Sequence, residues 1–209
     1  MKKHPALALI EFSSLADGLY CTDAVLKKAP IAMLKSGTVS RGRYLVILGG
    51  STAAVEESLH AALAAAPASL LDHAFLPDAH DQVHDALLGL RQPVIPDALA
   101  MLETDTVAAN VRAAEQALKG ARVRLTELRL AEYEMSGKAL SLFNGALHEI
   151  EAAMELAGKF GIAEAVDPMI EYLCSWDPFG KRRGARLKAI RALAAIGDPR
   201  ALAGLGRFR

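Results

Sequence analysis

Cysteine is nearly absent. Cys21 and Cys174 are the only two, too few for a disulfide framework and without the paired spacing of a zinc site, so a reducing cytosol fits. Aromatic residues are scarce as well, at 5% against a hydrophobic share of 52%, which leaves an aliphatic, Ala-rich core. Excess charge of either sign is missing too. A formal net charge of zero argues against a dedicated nucleic-acid or membrane-surface protein. Long hydrophobic runs do not occur. Ala6 to Ile10 stops at Glu11, shorter than the roughly 7 to 15 residues of a signal-peptide core. Leu59 to Leu71 contains His60 and Pro67 and falls short of the roughly 20 residues that span a bilayer. The expectation is a soluble, unprocessed chain with no partner in nucleic acid or membrane.

What the chain does contain is a repeat. Ala6-Leu7-Ala8-Leu9-Ile10-Glu11 returns as Ala98-Leu99-Ala100-Met101-Leu102-Glu103, an apolar run closed by a carboxylate. At the same offset Leu26-Lys27 matches Leu118-Lys119, Ala29 matches Ala121 and Ile31 matches Val123. After a short insertion the register resumes, with Gly42 opposite Gly137, Leu45 opposite Leu140, Gly50 opposite Gly145 and Glu56 opposite Glu151. Duplication divides the 209 residues into two units, 5–92 and 97–209, joined by a linker over Arg91 to Asp97 that carries Pro93 and Pro96. Units of this size bury modest cores, so packing between copies or between chains should carry part of the stability.

Periodicity gives each unit its elements. Ala6 to Ile10 suits a strand buried on both faces, and Leu15, Leu19, Thr22, Leu26 and Ala29 space a helix with one buried stripe, ended by Pro30. Ile31 to Val39 is extended, Ser40-Arg41-Gly42 turns the chain, and Tyr44 to Leu48 is a strong strand. A second helix spans Thr52 to Ala65, a fourth strand Leu70 to Leu76, and a polar third helix runs from Pro77 to near Leu90. Copy two repeats the order: strand 99–102, helix 107–118, strands 123–133 and 138–143, helix 147–160, strand 169–173 and helix 184–196. The expected fold class is α/β (α+β), two tandem ferredoxin-like domains, each a four-stranded, mainly antiparallel sheet with flanking helices.

The pattern resembles tandem-domain bacterial microcompartment shell proteins. That family has an apolar strand ending in Glu, a helix ending Ala-Asp-Ala-x-x-Lys-x-Ala, and a Gly-containing turn before a Val-rich strand ending in Gly. The corresponding residues are Leu9-Ile10-Glu11, Thr22-Asp23-Ala24-Val25-Leu26-Lys27-Lys28-Ala29, and Ser40-Arg41-Gly42 leading to Gly49-Gly50. Copy two keeps Glu103, Lys119, Gly137 and Gly145 but has Glu115-Gln116-Ala117 in place of Ala-Asp-Ala. The resemblance implies a structural, non-enzymatic homotrimer that forms a pseudohexagonal tile, packs beside hexameric and pentameric shell proteins in the cytoplasm, and leaves a central pore for metabolites. It implies Lys27 and Lys119 as tile-edge lysines, where the alternative is a pair of solvated helix residues. It implies pore-lining turns at Ser40, Arg41 and Gly42 and at Met135, Ser136 and Gly137, where Arg41 would favour anions. The family's second edge position, an Arg, is met here by Pro77-Asp78-Ala79-His80. Some tandem members hold an iron–sulfur cluster on pore cysteines, but neither turn contains Cys, so no cofactor is expected.

Other chemistry is weaker. His80 and His84 lie one helical turn apart with Asp78 and Asp85 nearby, yet no third ligand is evident and a solvated polar helix is the expectation. Gly49-Gly50-Ser51-Thr52 lacks the phosphate-loop lysine and reads as a turn and cap. Lys181 to Arg209 has nine cations against Asp198 alone, a net of +8, suited to a solvated helix or to docking acidic cargo enzymes or another tile, with nucleic acid a weaker third option because no aromatic stacking pattern lies beside the charges. A trimeric ferredoxin-like sensor holding a small ligand between subunits is the alternative from a different functional class.

Overall fold

The structure is a computed structural model and describes residues 3–159. The expected strand 169–173, helix 184–196, Cys174 and the basic tail lie outside the described residues. The elements are β1 (Ala6–Phe12), α1 (Leu15–Lys28), β2 (Ala32–Val39), β3 (Arg43–Gly50), α2 (Thr52–Ala65), β4 (Leu70–Leu76) and α3 (Asp81–Leu87) in the first copy. The second has β5 (Ala98–Thr104), α4 (Val107–Gly120), β6 (Arg124–Arg129), β7 (Ala139–Gly145) and α5 (Leu147–Lys159). Sheet order β2-β3-β1-β4 is ferredoxin-like, and the second copy shows the matching β5-β7-β6.

The duplication extends to the ladder. β1 pairs antiparallel with β3 from Ala6↔Gly50 to Phe12↔Tyr44, and β5 pairs with β7 from Ala98↔Gly145 to Thr104↔Ala139. An irregularity between Met33 and Lys35 of β2 recurs between Leu125 and Glu127 of β6, the equivalent positions. Equivalent hydroxyls also start the first helices: Ser14 accepts from the Asp17 N–H and Thr106 from the Ala109 N–H.

All seven residues of β1 are buried, so its faces pack against different partners. Ala6, Ala8, Ile10 and Phe12 meet Cys21 and Val25 of α1 and Val55, Leu59 and Ala62 of α2. The opposite face carries Leu7 and Leu9, and it joins α3 and the second copy's α4 in one continuous core.

Several elements depart from the sequence expectation. In α1 the buried residues are Gly18, Cys21 and Val25, whereas Leu15, Leu19 and Leu26, expected to form the buried stripe, are exposed. The helix has a second apolar stripe, and periodicity does not say whether a stripe's partner is in the same chain. Helix α3 begins at Asp81, not Pro77, and is not a solvated helix: Val83, His84, Ala86 and Leu87 are buried because α3 packs against β6 and α4 of the second copy, in the shared core. β6 stops at Arg129, short of Tyr133. Ala131 takes a positive φ of 52° that breaks the strand, and a short 3-10 turn, Tyr133–Met135, follows.

One packing site shows how the copies diverged. A side-chain carbon at Gly18 would lie 2.5 Å from the Tyr44 ring. The equivalent pair in copy two is Asn110 and Ala139, where the large and small residues are exchanged and Asn110 is buried, donating to the Leu102 and Ala139 carbonyls. Gly18→Asn alone should therefore cost about 2 kcal/mol or more through overpacking. Combining it with Tyr44→Ala should recover part of that loss in a denaturant titration; strictly additive losses would show that the two positions do not share the site.

Candidate functional site: the paired turns and the domain junction

The two β-turns expected to line a pore have the same backbone form. Arg41 (φ 63°) and Gly42 (φ 68°) are both left-handed, as are Ser136 (φ 50°) and Gly137 (φ 86°). Glycine takes this conformation without strain, whereas Arg41 and Ser136 hold it at a cost of about 1 kcal/mol each. Within one chain the turns lie side by side. The Ser40 hydroxyl donates to the Ala131 carbonyl at 2.8 Å and accepts the Gly137 N–H at 2.7 Å, while the Ser40 N–H donates to the same carbonyl at 2.9 Å. Ser40 thus staples one turn to the other. Arg41, Gly42 and Ser136 are exposed, and Met135 is half-buried. Beside the staple lies an open cavity of about 320 Å³, with Lys35, Arg41, Glu132 and Tyr133 in its wall.

The second site was not foreseen in the sequence. The outward face of the first sheet is covered by α4 of the second copy, which lies across β1 and β4 and buries Val107, Val111, Ala114 and Leu118 in the shared core. Burying each larger aliphatic side chain is worth roughly 1.5–3 kcal/mol. Polar groups fix the register. Fully buried Glu11, from the end of β1, accepts the Ala108 N–H at 3.2 Å through Oε2, at the positive end of α4. Arg43 donates to the carbonyls of Asp105 (2.6 Å) and Gly137 (3.0 Å) in the second copy. Asp72 receives a two-pronged contact from Arg112 at 3.0 and 3.1 Å, and the Thr106 hydroxyl at 2.6 Å.

The two lysines expected at tile edges differ in setting. Lys27 is exposed and pairs with Asp23 one turn back at 2.6 Å. Lys119 sits at the junction, paired with Glu115 at 2.8 Å and donating to the Asp78 carbonyl across the domain boundary. Glu115 in turn accepts the His80 N–H, which makes the segment from Asp78 to His80 part of the junction. His84 is buried with neither ring nitrogen hydrogen-bonded, and burial pushes its pKa down. No cluster of three or more metal-ligating side chains occurs among the described residues. The turns supply no thiolate, and Cys21 is buried in α1 with its Sγ near the Ala62 carbonyl, so these residues do not fit an iron–sulfur cluster at the turns.

A family model for the BMC domain matches residues 6–79 and again 98–171. The chain belongs to the bacterial microcompartment shell proteins, with two BMC domains in tandem. It is 31% identical over 154 residues to the bacterial microcompartment shell protein PduT of Citrobacter freundii, covering 74% of this chain and 83% of that protein. A solved microcompartment protein from Desulfitobacterium hafniense superposes with a TM-score of 0.66 at 31% identity, over 75% of this chain and 86% of the other. A fused, permuted hexameric shell protein of the RMM microcompartment shares the fold, with a TM-score of 0.56 and 21% identity over 73% and 81% of the two chains. In this shell protein no helix among the described residues is long and apolar enough to cross a membrane.

The junction has a pH signature. Burial pushes the Glu11 carboxyl from its ordinary 4.5 up to about 7, against the opposing pull of the Ala108 N–H and the Arg43 charge. Between these values the folded chain holds a proton that the unfolded chain has lost, so unfolding free energy falls as pH rises from about 4.5 to about 7. Glu11→Gln should remove this contribution, on the order of 3 kcal/mol. Denaturation midpoints across that range should fall more steeply for the wild type than for the variant; parallel profiles would contradict the assignment.

Proposed function

We propose that three copies of this shell protein close into a ring of six alternating domains, a pseudohexagonal tile that packs into the facets of a cytoplasmic bacterial microcompartment. The supporting observation is that a contact satisfied inside the chain has its two halves left open at the chain's outer surfaces. Val111 of α4 and Leu9 of β1 are 0% exposed at the junction, but their equivalents, Leu19 of α1 and Met101 of β5, are 59% and 58% exposed. The same holds for Leu15 and Leu26 on α1 and for Leu99 on β5. Placing α1 of one chain on the β5 face of the next repeats the junction. A head-to-tail contact of this kind closes into a ring when its rotation divides the circle.

Such a ring gathers three copies of each turn around its axis, so that Ser40, Arg41 and Gly42 and Met135, Ser136 and Gly137 border a central opening. Arg41 supplies the positive charge that favours anionic metabolites. The tile's role is structural, not enzymatic, and its partners are other shell proteins and, through the basic tail, acidic cargo. Lys27 lies at the rim. A ligand-binding trimer without a shell role would share the junction but not the lattice.

Light scattering should give trimers for the wild type and monomers for Leu19→Asp, since the ring would bury an unpaired charge. Lys27→Asp should stay trimeric yet no longer form sheets in negative-stain images. Sheets unaltered by Lys27→Asp would remove the edge role, and a monomeric wild type at micromolar concentration would remove the ring.

A further inference from the structure

We infer that Glu103 and Lys138 close the ring by exchanging their mutual ion pair for backbone groups of the partner subunit, an inference that rests on the ring proposed above. The two residues are the second-copy equivalents of Glu11 and Arg43, which hold the junction within the chain. Glu11 caps the N-terminus of α4 at Ala108, whose equivalent in α1 is Ala16. Arg43 uses a single nitrogen to bridge the carbonyls of Asp105 and Gly137, whose equivalents are Ser13 and Gly42. In the single chain Glu103 and Lys138 instead pair with each other at 2.5 Å, both about half exposed.

The closed arrangement follows from the repeat. Glu103 accepts the N–H of Ala16 of the partner subunit, at the positive end of its α1. Lys138 donates to the carbonyls of Ser13 and Gly42 of the partner subunit. An ammonium with three donors can replace Arg43 in this role, because the bridge needs one nitrogen and not a planar fork. Both surfaces are complementary around the cap: Leu15, Leu19 and Leu26 on one side, Leu99 and Met101 on the other. The first-turn acid of α1, Asp17, stands one helical turn before buried Cys21, and so beside the helix's inner face and not on the stripe of Leu15, Leu19 and Leu26.

In the open chain the Glu103–Lys138 pair keeps both charges matched. Ring closure therefore trades one solvent-exposed ion pair, worth little, for partly buried hydrogen bonds to a helix N-terminus and to two carbonyls, each of which would cost more if left unmade. The trade predicts a large effect on association and little on the fold.

The test is the concentration at which trimers dissociate, measured by sedimentation for the full chain, together with the thermal midpoint of each variant. Glu103→Ala should raise the dissociation midpoint about tenfold or more, as expected when a buried N–H at the interface loses its acceptor. Glu103→Gln, whose amide oxygen can still accept the N–H of Ala16 of the partner subunit, should stay within about threefold of the wild type. Thermal midpoints measured below the dissociation concentration should be unchanged. If the wild type is trimeric and Leu19→Asp dissociates it while Glu103→Ala does not, the assignment of Glu103 is overturned and the ring stands. If Glu103→Ala lowers the thermal midpoint of the isolated chain as much as it weakens association, the residue serves the fold and the inference fails. If the wild type never forms trimers, the ring reading fails first.

Discussion

The burial of α4 of the second domain on the outer face of the first sheet is the interaction on which the rest depends. It merges the two cores, so that Leu7, Leu9, Leu45 and Ile47 of one copy pack in the same cluster as Val107, Val111 and Leu118 of the other. A strand buried on both faces, such as β1, needs that cover, and α1 and α2 supply only one side of it. The same contact sets where Glu11, Arg43 and Asp72 point, and it places the Ser40 turn against the Ser136 turn. Fold, junction and candidate pore edge are therefore consequences of one docking geometry.

That geometry is polar where it needs direction and apolar where it needs strength. The Arg112–Asp72 pair is held in a fork, the Glu11 carboxyl group meets a helix end, and Lys119 links Glu115 to the Asp78 carbonyl. The chain then tolerates left-handed Arg41 and Ser136, because the Ser40 staple and the antiparallel strands beside each turn over-determine their conformation. The copies are not interchangeable. Arg112 corresponds to Tyr20, Gly120 to Lys28, and the Gly18–Tyr44 packing to Asn110–Ala139. Under the ring proposed above, these differences set the two domains in alternation.

Much of this was legible in the residues. Duplicated apolar runs and glycines gave the domain repeat, and the strands and helices follow from period 2 and period 3.6 with their caps and prolines. The α2 and β4 limits agree with the expectation residue for residue. What was not legible depends on what lies across an interface. Leu15, Leu19 and Leu26 have the spacing of a core stripe, and only the fold shows that Gly18, Cys21 and Val25 fill that place. In the sequence His84 reads as part of a polar helix because its neighbours Asp81 and Asp85 are charged, yet its side of α3 is buried. Glu11 and Glu103 were visible as carboxylates closing matched strands. Their role was hidden because the helix end that Glu11 meets lies 97 residues away.

The central claim is that the junction inside the chain recurs, head to tail, between chains. It is tested most directly by mixing two crippled variants, Leu19→Asp, which spoils α1, and Met101→Asp, which spoils the β5 face. Each alone should be monomeric. Together they have one intact α1 and one intact sheet that can meet, so native mass spectrometry should find a 1:1 dimer that grows no further. A mixture that stays monomeric, or trimers formed by either variant alone, would contradict the account.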